Sequence, residues 1–376
     1  MGLFNTRALS GRKVSGFLVS TTAASKNNAY MFGGNLLTYN PALTLYASPN
    51  ADQYAAQIRW QGSYPYASGY YANKLWDNVS QLSFETMTYN LILAGLYTAI
   101  EGRSGLSNDG TAGYVMGTAN TAGDNNKRIQ KFNYLTKIAS QVGLATYQGG
   151  NTAMGWGNKN VAGYRVAGGP QYPWDTSIEK FNFTTELSVG TVGYLTAGGG
   201  PYSGGESSLA AYNWGVAGYG KTGYTGPGTN QQSNYITKMS FATDATSNNS
   251  SGHWDWQSAA GTLNNQAVAA YTSGGYNYQY AQSDSPYVSK MNFATEVYSL
   301  LATPVQYAGS YGNALTNTGV NGVFTKNGSA YVGYGATKTN HTASLFDFAT
   351  ETGSVFTATP TNGDVGSSSS LNNSGN

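Results

Sequence analysis

The chain has 376 residues, a formal net charge of +2 and 10% charged side chains, with 40% hydrophobic residues. So small a charge gives no electrostatic reason to expect a nucleic-acid partner or membrane insertion, and the apolar content is ample for a core. Cysteine is absent, which excludes disulfides, zinc–thiolate sites, iron–sulfur clusters and cysteine nucleophiles, while 50 glycines without a three-residue period exclude collagen and point to many tight turns.

Residues 1–13 read as a basic N-terminal arm carrying Arg7, Arg12 and Lys13, without the apolar run of a secretory leader. The arm is expected to dock the chain into a larger assembly. Lys13 to Thr21 is expected to supply one strand.

From there to residue 358 two anchors alternate, in units of roughly 50 residues. One anchor is a small residue, an aromatic and then glycine: Ala29-Tyr30-Met31-Phe32-Gly33-Gly34, Gly69-Tyr70-Tyr71-Ala72, Gly113-Tyr114-Val115-Met116-Gly117 and Gly163-Tyr164-Arg165-Val166-Ala167-Gly168-Gly169. Later copies are Val216-Ala217-Gly218-Tyr219-Gly220, Ala270-Tyr271-Thr272-Ser273-Gly274-Gly275 and Ala330-Tyr331-Val332-Gly333-Tyr334-Gly335. The other anchor reads apolar-x-Lys-apolar-Asn-aromatic-x-Thr-acid. Its clearest copies are Ile129 to Thr136, Ile178 to Glu186, Ile236 to Asp244 and Val288 to Glu296, with weaker ones at Leu82 to Thr86 and Leu345 to Glu351 and a degraded one at Leu37 to Asn40.

Each anchor predicts a strand. In Ile178 to Phe183, alternation puts Ile178, Lys180 and Asn182 on one face and Glu179, Phe181 and Phe183 on the other. Apolar groups on both faces suit a sheet sandwiched between neighbouring sheets. The Thr and acid that follow predict a hairpin whose hydroxyl bonds backbone and whose acid stays in water at the tip. A unit of this size cannot bury both faces alone, but radial packing buries them and protects strand edges. The expected fold is therefore all-β: a closed β-propeller of about seven four-stranded blades, with six as the alternative because Gly69 to Ala72 has lost its paired glycines. The segment 353–358 is expected to end the last blade, and the Ser/Asn/Gly-rich stretch 359–376 to be a flexible tail or a segment ordered only by a neighbour.

Over residues 29 to about 358 these anchors resemble the Kelch family, whose repeat has a Tyr before a Gly-Gly pair and later an aromatic strand and turn. The Trp that Kelch repeats place after the turn is missing here. The resemblance implies a propeller and no single activity, since that fold hosts many.

No catalytic centre, metal site or cofactor is expected. A copper site like that of galactose oxidase needs a cysteine-linked tyrosine and paired histidines. The chain has no cysteine, and its two histidines, His253 and His341, lie in different repeats. A sialidase-like site needs an arginine triad and Asp-box turns; of the six arginines, Arg7, Arg12, Arg59, Arg103, Arg128 and Arg165, two lie in the N-terminal arm, and Ser107-Asn108-Asp109-Gly110-Thr111 matches such a box only loosely. Asp255 between Trp254 and Trp256 is one acid, where glycoside hydrolysis needs two.

What remains is recognition chemistry. Tyr, Ser, Gly and Asn dominate the inter-strand segments, the same palette antibody loops use, because Tyr gives rigid contact area and the small polar residues adapt. Trp60, Tyr64, Tyr66, Trp254, Trp256, Tyr276, Tyr278 and Tyr280 are the expected recognition residues. The leaderless start, absent cysteine, low charge and polar β repeat together resemble propeller proteins of bacteriophage particles, especially those of cyanobacterial hosts. That resemblance implies a multi-copy virion protein, tail- or fibre-associated, whose partners are other virion proteins and a host-surface glycan or protein. The alternatives are a cytoplasmic or non-classically exported bacterial carbohydrate-binding or scaffolding module and, third, a propeller enzyme.

Overall fold

The computed structural model describes residues 28–32, 35–40, 70–75, 79–92, 104–108, 111–116, 127–144, 154–158, 161–166, 176–195, 209–213, 215–221, 236–249, 261–265, 267–273, 288–301, 314–317, 319–326, 342–356 and 369–372. The strands are β1 (Asn28–Phe32), β2 (Asn35–Asn40), β3 (Tyr70–Leu75), β4 (Val79–Ser83), β5 (Thr88–Ile92), β6 (Ser104–Asn108), β7 (Ala112–Met116), β8 (Arg128–Asn133) and β9 (Ala139–Leu144). Then come β10 (Met154–Asn158), β11 (Ala162–Val166), β12 (Ser177–Asn182), β13 (Leu187–Tyr194), β14 (Leu209–Asn213), β15 (Ala217–Lys221), β16 (Ile236–Ser240) and β17 (Thr246–Asn249). The series ends with β18 (Gly261–Asn265), β19 (Ala269–Ser273), β20 (Val288–Asn292), β21 (Tyr298–Leu301), β22 (Ala314–Asn317), β23 (Asn321–Lys326), β24 (Thr342–Asp347), β25 (Thr352–Phe356) and β26 (Ser369–Asn372).

The protein is all-β, built of antiparallel sheets. Strands β6 to β25 form five four-stranded sheets in chain order, four strands to each. A sixth, which we call the first sheet, has the order β26-β1-β4-β5, so the end of the chain pairs with its beginning. Strands β2 and β3 make a two-stranded sheet within the β1–β4 connection.

Six four-stranded sheets therefore stand among the described residues, where seven were expected, and the reason is visible in the pairing. The two degraded anchors, at Leu37 to Asn40 and Gly69 to Ala72, do not found a four-stranded sheet of their own. They supply β2 and β3, with Leu37 opposite Asn73 and Tyr39 opposite Tyr71. The C-terminal stretch also departs from expectation, since β26 lies inside it and hydrogen-bonds along β1. Its small polar residues are no bar to a strand when a neighbouring edge offers the hydrogen-bonding partners. The second strand of the last sheet is β23, around Gly322-Val323-Phe324; the copy proposed at Ala330 to Gly335 lies outside the described residues, as does Lys13 to Thr21.

The hairpin between third and fourth strands follows one recipe. Asn133 accepts hydrogen bonds at Oδ1 from the backbone N–H groups of Leu135 and Thr136, both at 2.9 Å, and Asn182, Asn292 and Asp347 repeat the arrangement. The turn ends in a residue of left-handed backbone: Met87, Lys137, Glu186, Asp244, Glu296 and Glu351 have φ between 54° and 60°. That conformation redirects the side chain. The acids do not stay in water at the tip, as the sequence suggested, but turn back toward the preceding sheet.

Core clusters lie between consecutive sheets. Phe181 and Phe183 join Tyr114 and Ile129 of the sheet before them; Met239 and Phe241 join Trp156, Tyr164 and Ile178; Met291 and Phe293 join Tyr219 and Ile236. Phe346 and Phe348 join Leu263 and Tyr271 in the same way. The remaining clusters link Val323 and Phe356 of the last sheet to Leu82 and Phe84 of the first, and Val79 of the first to Phe132 and Tyr134 of the next. The leading strands touch in the same sequence: β6 meets β10, β10 meets β14, β14 meets β18, β18 meets β22, β22 meets β26, and β26 meets β6.

Candidate functional site

Strand direction alternates within each sheet, so the two ends of the sheets differ. Short turns between first and second strands, and between third and fourth, sit at one end. Connections from second to third strand, and from one sheet to the next, leave and re-enter at the other.

At the short-turn end a four-residue module spans successive sheets. Tyr164 of one sheet stacks on Phe241 of the next, ring centroids 5.0 Å apart and planes 10° from parallel. Its hydroxyl donates to Asp244 at 2.9 Å, and Lys180, 5.6 Å from the Tyr164 ring centroid, donates to the same carboxylate at 2.7 Å. The module recurs as Tyr114, Lys131, Phe183 and Glu186; as Tyr219, Lys238, Phe293 and Glu296; and as Tyr271, Lys290, Phe348 and Glu351. Stacking, cation–π attraction and a charge-assisted pair act at one place.

Its electrostatics follow from that crowding. Burial pushes the Tyr164, Tyr219 and Tyr271 hydroxyls well above the ordinary tyrosine value, and the hydrogen bond to each carboxylate and its charge push the same way. Burial also pushes the Glu296 carboxyl up, but hydrogen bonds from Lys238 and Tyr219 and the Lys238 charge together hold it below its ordinary value. Asp347 is lowered by the backbone N–H and hydroxyl of Thr350 and the N–H of Ala349.

The two interfaces of the first sheet use other residues. Between the last sheet and the first, the module positions hold Val323, Leu345, Phe84 and Met87, which gather in one apolar cluster. Between the first sheet and the second they hold Tyr30, Gln81, Tyr134 and Lys137, with the Lys137 ammonium donating to Gln81 at 2.9 Å. Burial lowers the Lys137 pKa to about 8.

One sheet contains a charged pair in its interior. Arg165 and Glu179 face each other across β11 and β12, side chains fully buried, with Nε to carboxylate oxygen 3.4 Å. Ser188 donates to Glu179 at 2.5 Å, and the guanidinium reaches the Ser177 hydroxyl at 3.4 Å. Both side chains are fully buried between neighbouring strands, which marks the pair as part of the core.

The expected recognition residues belong to the other end. Trp254 and Trp256 fall between β17 and β18, Tyr276, Tyr278 and Tyr280 between β19 and β20, and Trp60, Tyr64 and Tyr66 within the β1–β4 connection. All eight lie outside the described residues, but the strand ends bounding the three stretches are on the long-connection end. Arg7, Arg12, Lys13, His253, Asp255 and His341 are also outside the described residues. Among the described residues no three His, Asp or Glu side chains gather as a metal site would require. Ser107, Asn108 and Thr111 belong to the β6–β7 hairpin, a regular copy of the first turn in the five sheets formed in chain order.

What the sequence reading missed is the first-strand motif: Leu106-Ser107-Asn108, Trp156-Gly157-Asn158, Ala211-Tyr212-Asn213, Leu263-Asn264-Asn265 and Leu315-Thr316-Asn317, each before a hairpin. Asn265 shows its use, accepting from the backbone N–H of Gly319 in the next sheet at 2.9 Å. Leu371-Asn372-Asn373 carries the same signature, which could have revealed β26. The chain matches no protein-family model and no curated protein.

Proposed function

We propose that this chain is a closed six-bladed β-propeller serving as a non-enzymatic recognition and structural component of a bacteriophage particle, its aromatic connections directed at a host-surface glycan or protein. The cycle of touching first strands, and the apolar core joining last sheet to first, support closure. The observation that carries the functional part is the asymmetry of the two ends. At the short-turn end the repeat's Tyr, Lys and acid side chains are engaged with one another between sheets. The Trp- and Tyr-rich connections enter and leave at the other, where segment length is free to vary without disturbing the sheets. The particle assignment rests on the resemblance of the sequence's style.

The test joins two measurements on the full chain. Glycan-array and host-cell binding are compared between the natural chain and a variant carrying Trp254→Ala, Trp256→Ala, Tyr276→Ala and Tyr278→Ala; binding that is lost while the melting temperature is kept supports the reading. Proteomics of purified particles locates the chain. Binding without presence in particles favours a free carbohydrate-binding module, and equal binding by both proteins removes the recognition role from these loops.

A further inference from the structure

Across the six sheet interfaces the module positions co-vary. Where the third strand offers Lys131, Lys180, Lys238 or Lys290, the next sheet's left-handed turn residue is an acid, Glu186, Asp244, Glu296 or Glu351. Where the third strand instead offers Leu345, the turn residue is Met87, and the Tyr position has become Val323. Where it offers Gln81, the turn residue is Lys137, a donor for the amide oxygen. Each departure from the repeat is thus matched by a departure in the residue it meets, one sheet further on.

We infer that this pair is an address that specifies which sheet packs on which, and that Leu345 with Met87 is the address of the seam between the chain's two ends. The inference rests on the closed-ring reading. Successive sheets along the chain are joined covalently, so their order needs no further specification, and four of their interfaces share one Lys–acid address. Strands β1, β4 and β5 of the first sheet are joined to the last sheet only through β26, which continues the chain from β25 but is held to β1 by backbone pairing alone. Backbone hydrogen bonds carry no side-chain identity, so complementarity between side chains such as Leu345 and Met87 is what distinguishes this junction from a wrong one, and there the chemistry changes completely.

Wrong pairings are penalised by desolvation. If the last sheet skipped the first and packed on the second, Leu345 would meet the Lys137 ammonium. If an internal sheet packed on the first, a lysine would meet Met87 with no carboxylate in reach. An ion whose partner has been replaced by an apolar group keeps its desolvation cost and loses its compensation. The apolar seam therefore rejects the internal sheets as well as accepting its own partner.

The experiment is a double-mutant cycle on the full chain, with closure read independently. Met31 lies opposite Ser370 across β1 and β26, and the chain has no cysteine, so Met31→Cys with Ser370→Cys reports a closed ring as an intramolecular disulfide. In that background Leu345→Lys and Met87→Glu are each expected to lower the melting temperature. Together they should recover most of the combined loss by installing the Lys–acid address at the seam. The converse cycle, Lys180→Leu with Asp244→Met, covers the case in which a seam variant does not fold, and should likewise lose less than the sum of its singles. Additive losses in the cycle that folds, with the disulfide still formed, would overturn the address while leaving the ring. Failure of the disulfide to form within one chain would instead overturn the closed-ring reading on which the address depends.

Discussion

The Tyr164 hydroxyl and the Asp244 carboxylate meet at 2.9 Å although they belong to different sheets. Their contact ties one repeat to the next through a residue whose left-handed backbone, φ 54°, is what aims it backward. Tyr164→Phe keeps the stack on Phe241 and removes only the hydroxyl, so its cost isolates the hydrogen bond. A hydrogen bond to a charged acceptor contributes about 1.5–3 kcal/mol, and with the Asp244 side chain a quarter exposed the lower end applies. Denaturant unfolding should show a loss of about 1–2 kcal/mol for Tyr164→Phe. A loss like that of a surface change, under about 0.5 kcal/mol, would show that the bond is not made in solution.

Much of this architecture could be read from the residues, and the failures have physical causes. The anchors put Tyr114, Tyr164, Tyr219 and Tyr271 on strands of sandwiched sheets, and their rings stack between one sheet and the next. Phe183, Phe241 and Phe293 were placed on core strands, and they are buried. The described residues hold six four-stranded sheets, the alternative count, because Leu37 to Asn40 and Gly69 to Ala72 have the composition of anchors, and composition does not say that two such strands pair with each other. The fate of the acid was misjudged because its partner is not local. Lys180 and Asp244 are far apart in sequence, and only comparing each repeat with the one after it shows that Leu345 and Gln81 lack the lysine where Met87 and Lys137 lack the acid. The recognition tyrosines stay an expectation from composition, since no period or spacing specifies where such side chains point.

Acid and alkali should act on different interfaces. Glu296 has a folded pKa below its ordinary 4.5, so the stability it contributes is present above that value and lost as pH falls through the lower folded one. Glu296→Gln should flatten that part of the acid limb of a stability–pH profile, and an unchanged limb would refute the assignment. Lys137 has the opposite sign. Its folded pKa of about 8 lies below 10.5, so the unfolded chain binds the extra proton between those values and stability rises with pH across them. The raised tyrosines begin to lose stability above 10.0, which confines the net gain to the span from about 8 to 10. Unfolding midpoints at the two ends of that span should differ in the natural chain and agree in Lys137→Gln.

The buried Arg165–Glu179 pair should behave non-additively. Removing one partner strands a charge in the core and costs about 3–5 kcal/mol, whereas replacing both by groups that fit is often near neutral. The replacement is already present in the preceding sheet, where Val115 faces Gln130 at the same register and both are buried. Arg165→Val and Glu179→Gln should each destabilise strongly, and the double variant should return close to the natural stability. A double variant as weak as the sum of its singles would mean that the pair specifies something Val and Gln do not replace.

Ala267 offers a change in the stabilising direction. It occupies the turn between the first and second strands of its sheet with φ 58°, where Gly215 and Gly319 occupy the matching turns of neighbouring sheets with φ 80°. A side chain with a Cβ pays about 1–2 kcal/mol for left-handed backbone that glycine adopts freely. Part of that gain returns as added freedom of the unfolded chain, because glycine has more conformations to lose on folding. Ala267→Gly should therefore raise stability by about 0.5–1 kcal/mol, read as a higher denaturant midpoint with an unchanged slope. The control is Ala269→Gly two residues later, buried on β19, where the same exchange removes a packed methyl and should destabilise. Loss of stability in both variants would show that residue 267 is not left-handed in solution and that this turn differs from those holding Gly215 and Gly319.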